Sequence, residues 1–250
     1  MLILTIMLFI GVLGGFISGL VGIGGAIIIY PAILLLPPLL GLPTYSPYIA
    51  SGLTSSQVFF STLSGSIKAR KKSVFSTHLI SYMGGSMILG SALGALSANL
   101  FNADFINSIY IIIALLALIL MFIKVKPTYQ VAQFNRPLII SIGIIIGVIS
   151  GIVGAGGAFI IIPILLVVFK LPMNTVITNS IVIAFMSSIG AFTIKLIQGY
   201  IPLEDALFLI LGSIIFAPIG FKVSNKVPNV IQKGIVIILI IIAILQLIFK

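Results

Sequence analysis

Two stretches of this 250-residue chain repeat one another. Residues 15–31 read GFISGLVGIGGAIIIYP and residues 147–163 read GVISGIVGAGGAFIIIP, identical at 12 of 17 positions with a constant offset of 132. Each copy lies in an apolar run that a Gly-x-Gly-Gly element interrupts, Gly22-Ile23-Gly24-Gly25 in one and Gly154-Ala155-Gly156-Gly157 in the other. The offset falls to 125 at Pro47 and Pro172, because the first loop is seven residues longer, and it then aligns Ser55 with Ser180 and Gly65 with Gly190. Near 126 it aligns Gly94 with Gly220 and Asn99 with Asn225. A repeat of this span is a property of the whole fold. The chain reads as one domain of two homologous halves, 1–124 and 137–250, joined by a polar linker at 125–136.

The solvent of that domain follows from its surface chemistry. Only 6% of residues are charged and 60% are hydrophobic, with a mean hydropathy of +1.39. A soluble domain carries roughly 25% charged residues. A soluble enzyme, a nucleic-acid-binding domain and a disordered tail are excluded, as is an outer-membrane barrel with its alternating strands. Apolar blocks of about 20 residues suit membrane-crossing helices. The expected fold is an all-α polytopic integral membrane protein with eight to ten hydrophobic spans, Gly-broken helices and halves in inverted arrangement. A net charge of +10 needs no nucleic acid as partner, since membrane proteins keep Lys and Arg in cytoplasmic loops. The absence of Cys excludes disulfides, thiolate metal sites and a cysteine nucleophile. The apolar run starts right after Met1 with no basic segment before it, so a cleaved signal peptide is not expected. The expected location is the inner (plasma) membrane.

The block Leu2–Leu40 is too long for one straight crossing, since 39 residues of helix reach about 58 Å against about 30 Å of hydrocarbon. If each Gly-broken block crosses once, there are eight spans, and Lys170, Lys222, Lys226 and Lys233 face away from the basic cluster at 68–72 and the linker. If each crosses twice, there are ten, and only Lys195 and Lys250 lie opposite the rest. The positive-inside rule favours the second, which inverts the halves and puts both termini outside. The arms Ala26–Leu36 and Phe159–Phe169 are short for full spans, so re-entrant or half-membrane helices stay open.

Glycine-interrupted segments at matching positions of two halves point to the binding site of a secondary transporter. A helix that restarts at Gly25 or Gly157 presents unpaired N–H donors and a partial positive charge, which suits an anion. The candidate binding residues are therefore Gly22, Gly24, Gly25, Gly154, Gly156 and Gly157. The upstream sets Gly11, Gly15, Gly19 and Gly143, Gly147, Gly151 have the four-residue spacing of close helix packing. Polar clusters follow at Thr54-Ser55-Ser56-Gln57 and Thr178-Asn179-Ser180. Thr54, Ser55, Gln57, Asn179 and Ser180 are candidates to hydrogen-bond a substrate oxyanion, against the competing role of bonding their own helix. The acids Asp104, Glu204 and Asp205 lie beside loops, so no acidic intramembrane proton relay is expected. His78 sits at the edge of a span with an interfacial role. No catalytic residue, metal ligand or cofactor site is apparent.

The doubled G-[LI]-V-G-[IA]-G-G-A followed by I-I and Pro, with the TSS and TNS segments, resembles the TauE/SafE family of bacterial inner-membrane transporters. The resemblance covers nearly the whole chain. It implies transport of small anions, typically sulfite or sulfur-containing organic anions, and leaves the substrate open. Asn179 departs from the Thr expected beside Ser180, and its partner in the first half is Thr54, so symmetry of the polar ligands is not exact. The leading reading is an anion transporter, an exporter in direction, working by alternating access around the Gly-broken segments. A passive anion channel is the alternative. An intramembrane enzyme would need a metal cluster, dyad or carboxylate pair, and one His, no Cys and three peripheral acids do not supply it.

Overall fold

The computed structural model describes residues 1–70, 74–125, 135–154 and 157–248, and among these there is no strand. Ten helical segments follow in order: α1 Leu2–Val21, α2 Ala26–Leu39, α3 Pro47–Ala69, α4 Thr77–Leu100, α5 Ala103–Phe122, α6 Arg136–Val153, α7 Ala158–Val167, α8 Met173–Ile197, α9 Leu203–Ser224 and α10 Asn229–Ile248. Their ends are written in the sequence. Ser46 and Asn102 cap α3 and α5, accepting from the N–H of Ile49 and Phe105 at 3.3 and 2.9 Å. Gly22 and Gly154 end α1 and α6 in the left-handed conformation, with φ of 79° and 76°. Asp104 lies in the first turn of α5, and Glu204 and Asp205 lie in that of α9, where the helix dipole favours acids.

Among the described residues, seven helices are long and apolar enough to cross a membrane: α1, α4, α5, α6, α8, α9 and α10. The fold is that of a polytopic membrane protein. α3 has the length, but its Ser, Thr and Gln residues make it too polar to face lipid, and it is enclosed by α1, α8 and α9. α2 and α7, of 14 and 10 residues, are about 21 and 15 Å long, short of a hydrocarbon core of about 30 Å.

Glycine sets the closest packing. A Cβ on Gly15 would lie 2.5 Å from Ser213 Cα, and those on Gly11 and Gly19 would strike the carbonyls of Leu209 and Ala217. The four-residue stripe of α1 is thus sealed along α9. The matching stripe of α6 lies along α4, where a Cβ on Gly147 would lie 3.0 Å from Gly90 Cα and one on Gly151 would strike the Ser91 carbonyl. Backbones approach this closely only where side chains are absent.

The registers of these contacts fix helix directions. α1 and α9 run parallel, and so do α4 and α6. α3 runs with α9, Ser64 bonding the Ile214 carbonyl at 3.0 Å and Lys68 that of Pro218 at 3.4 Å. It runs against α8, since Gly52 meets Tyr200 while Gly65 meets Ile181. α8 in turn runs with α4, Gly84 meeting Met186 and Gln198 bonding Ala95. α1, α3 and α9 therefore point one way, and α4, α6 and α8 the other. The C-terminal ends of α3, α5, α7 and α9 gather at one end of the bundle with Lys68, Arg70, Lys124, Lys170, Lys222 and Lys226. Asp104, Glu204 and Asp205 gather at the opposite end. Lys71, Lys72, Lys126 and Lys250 lie outside the described residues.

Candidate functional site

Because α1 and α3 are parallel, the chain must return between them, and the first glycine break is where it turns. Gly22 ends α1 against α8, where its carbonyl accepts from Ser180 Oγ at 3.0 Å. Gly24 follows beside α3, its carbonyl 3.4 Å from Ser61 Oγ. Gly25 then lies against the Gly14 carbonyl, two turns back along α1. The three glycines have φ of 79°, 70° and 79°, a region closed to most L-residues without strain. α2 thus begins deep in the bundle and runs back from there. The second break turns in the same way: Gly157, at φ 65°, lies against Ile146 and Ser150 of the preceding helix. Gly156 lies outside the described residues.

The start of α2 faces α3 at Gln57. A Cβ on Gly25 would lie 3.2 Å from Gln57 Nε2, and one on Gly14 would lie 3.6 Å away. Gln57 is fully buried, and neither its Nε2 nor its Oε1 has a hydrogen-bond partner. An unsatisfied buried amide costs about 1–3 kcal/mol. The first N–H groups of α2 have no intrahelical acceptor either. An unpaired amide and the N-terminus of a helix therefore lie side by side at Gly25.

The other polar candidates are placed differently. Thr54, Ser55 and Ser56 donate to the carbonyls of Ala50, Gly52 and Leu53, each at 2.7 Å. Thr178 donates to Asn174 at 2.8 Å. Asn179 is fully engaged, its Nδ2 bonding the carbonyls of Val74 and Thr175 at 3.0 and 2.7 Å and its Oδ1 accepting from the Ser76 N–H at 2.8 Å. It pins the segment leading into α4. Ser180 ties α8 to Gly22, while Gly154 lies against Ser51 of α3. So the structure joins Gly22 with Ser180, Gly24 with Ser61 and Gly25 with Gln57, and it leaves Gly154 and Gly157 in a second locus. There Ser150 Oγ is buried without a partner beside a small void of about 10 Å³.

Tyr30, Asn107 and Tyr110, which brace the first break, escape sequence patterning. Pro31 has no N–H, so the carbonyl of Ile27 loses its helical donor. The Tyr110 hydroxyl, from α5, supplies the bond at 2.7 Å. Tyr30 donates to Asn107 Oδ1 at 2.7 Å, and the Tyr30 and Tyr110 rings stack at 5.0 Å. The usable signal was Pro31 itself, four residues after an orphaned carbonyl.

A cavity of about 450 Å³ lies at the basic end, lined by Arg70, Phe75, Ile80, Ser81, Val182 and Phe185. It reaches from the end of α3 to the middle of α8. Its wall includes a π-helical turn, Ile80–Gly84 of α4, a distortion common at functional sites. Beyond it, Phe59, Phe60, Phe185 and Phe192 pack together where α3 crosses α8. Among the described residues no group of His, Asp and Glu is arranged to hold a metal ion.

Comparison with known proteins places these features. A family model described as "Sulfite exporter TauE/SafE" matches residues 7–247. The chain is similar to "Probable membrane transporter protein YunE" of Bacillus subtilis (strain 168), 27% identical over 98% of this chain and 97% of that protein. It is also similar to "Probable membrane transporter protein YdhB" of the same organism, 26% identical over the full length of both. A third relative is "Probable membrane transporter protein MJ0441" of Methanocaldococcus jannaschii, 23% identical over 91% of this chain and 88% of that protein. No solved structure matches.

Proposed function

This chain belongs to the TauE/SafE family, and from that premise we propose that it is an exporter of a small anion, sulfite or a sulfur-containing organic anion, working by alternating access. The observation that carries the reading is Gln57, a buried amide without a partner, aimed at the N-terminus of a half-membrane helix. The anion accepts from Gln57 Nε2 and from the first N–H groups of α2. The matching break at Gly154–Gly157 supplies the second locus, and Ser150 faces it. The family description and the relatives' names support transport of this kind.

The packing supports two inverted halves. α1 lies on α9 as α6 lies on α4, α2 meets α10 as α7 meets α5, and α3 and α8 cross at the centre. Each relation exchanges a helix with its repeat partner, and the directions reverse between halves. The positive-inside rule then makes the end with Lys68, Arg70 and Lys222 cytoplasmic, in the inner membrane, with both termini outside. Export of a monovalent anion from a negative interior is downhill by about 2.3 kcal/mol per 100 mV. It needs no coupling ion, which agrees with acids confined to the outer end.

The test is flux from proteoliposomes of purified protein against sulfite, sulfate, sulfoacetate and small carboxylates. Saturable counterflow of one of them is expected. Conductance far above transporter turnover would make the protein a channel, and no flux of any of them would sink the reading.

A further inference from the structure

Lys195 lies in the last turn of α8, away from the basic end. Its side chain is fully buried, its Nζ has no hydrogen-bond partner, and the Tyr200 ring lies 5.6 Å from it. A buried ammonium normally has a carboxylate beside it, because desolvating an unpaired charge is expensive. None of the three side-chain carboxylates pairs with it. Asp104 and Glu204 are exposed, and Asp205 accepts from the Tyr45 hydroxyl at 2.7 Å. The aromatic face and the C-terminal dipole of α8 offset only part of that cost. Ionisable residues kept inside membrane segments mark ion pathways.

The other half sharpens this. The 125-residue offset that aligns Ser55 with Ser180 also aligns Arg70 with Lys195 and Phe75 with Tyr200. Arg70 is exposed and, with Phe75, lines the cavity of about 450 Å³ at the basic end. Lys195 is sealed instead. Tyr200 covers it, with its ring stacked on Tyr48 at 5.6 Å and its hydroxyl donating to Asn99 Oδ1 at 2.8 Å. Tyr48 is tied down in turn, donating to the Phe101 carbonyl at 2.6 Å. Matching positions thus hold one cation in an open vestibule and one beneath a closed aromatic cover.

We propose that Lys195 is an anion-binding residue: its ammonium takes the small oxyanion at the acidic end of the path when the Tyr48–Tyr200 cover opens, as Arg70 takes it at the basic end. The inference rests on the transporter reading above, and the conformation described is the one open at the basic end.

The experiment uses sulfite as the probe with the full-length purified chain. Lys195→Met lowers sulfite flux about ten-fold or more and removes the rise in Tm that sulfite gives the wild type, as expected for one lost charge-assisted contact. Lys195→Arg keeps flux within about three-fold, because the charge remains. On the wild type, where folding of a variant is not at issue, mass spectrometry follows acylation of Lys195 by a membrane-permeant amine reagent, and saturating sulfite slows it. Wild-type flux in Lys195→Met overturns the inference and leaves the transporter reading standing. The same follows if Lys195 is acylated at equal rates with and without sulfite, or never. A wild type that moves none of the tested anions overturns both.

Discussion

The two glycine breaks share a sequence and differ in what surrounds them. Both end one helix in the left-handed conformation, turn back along it, and start a short helix deep in the bundle. The first is braced by polar groups: Tyr110 bonds the Ile27 carbonyl, Tyr30 bonds Asn107, Ser18 and Ser61 share a hydrogen bond at 3.1 Å, and Gln57 waits unpaired. The second is lined by Ile113, Ile146, Ile149 and Ile160, with Met87 over Gly157 and one unpaired hydroxyl, Ser150. The backbone device is common to both, while the strong hydrogen-bonding groups surround only the first. The first break is therefore the better candidate for holding substrate.

The comparison is open to test, starting where the largest effect is expected. Gly25 has the rigid Gly14 carbonyl where a Cβ would go, whereas Gly157 has the flexible end of Met87, 2.7 Å away. Gly25→Ala should abolish sulfite flux, combining that clash with a left-handed backbone cost of about 1–2 kcal/mol. Gly157→Ala bears mainly the backbone cost and should keep measurable flux. Equal losses in the two variants would erase the distinction between the breaks.

Next comes Gln57→Leu. Sulfite flux should fall about ten-fold, as a lost contact of about 1.4 kcal/mol implies. Stability should hold or rise by up to about 1 kcal/mol, because the orphan amide is gone. That opposition of activity and stability separates a ligand from a structural residue, and an active Leu variant would remove Gln57 from the site. Tyr110→Phe is milder. It leaves the Ile27 carbonyl unpaired and should cost about 1 kcal/mol in thermal stability. The second half has Val236 at the matching position, with no polar brace to lose. The smallest effect is expected for Ser150→Ala, within about 0.5 kcal/mol of wild-type stability and with unchanged flux. A ten-fold flux loss there would make the second break a ligand locus of equal rank.

Sidedness gives a separate check on the inverted halves. A cysteine at Asn229 should react with an impermeant thiol reagent only from the cytoplasmic face, since the segment between α9 and α10 shares its end with Lys68 and Lys222. Labelling from the outside would break the inversion.

Much of this was legible in the sequence because it depends on local composition and period. Hydropathy determined a polytopic helical membrane protein. The doubled Gly-x-Gly-Gly located both breaks and the four-residue glycine stripes announced the close helix pairs, whereas the sorting of Lys and Arg favoured ten crossings and, among the described residues, seven helices are long and apolar enough to cross. The tertiary structure alone decided which polar residues are free. Thr54, Ser55 and Gln57 look equivalent along the chain, yet the hydroxyls are satisfied within one turn of their own helix while the longer amide reaches past it and finds nothing. Asn179 is engaged because Val74 and Ser76, a hundred residues earlier, fold against it. Lys195 reads as an ordinary loop-edge cation until α3 and α4 close over it. Hydrogen-bond satisfaction and burial are sums over neighbours distant in sequence, so no reading of local pattern could have supplied them.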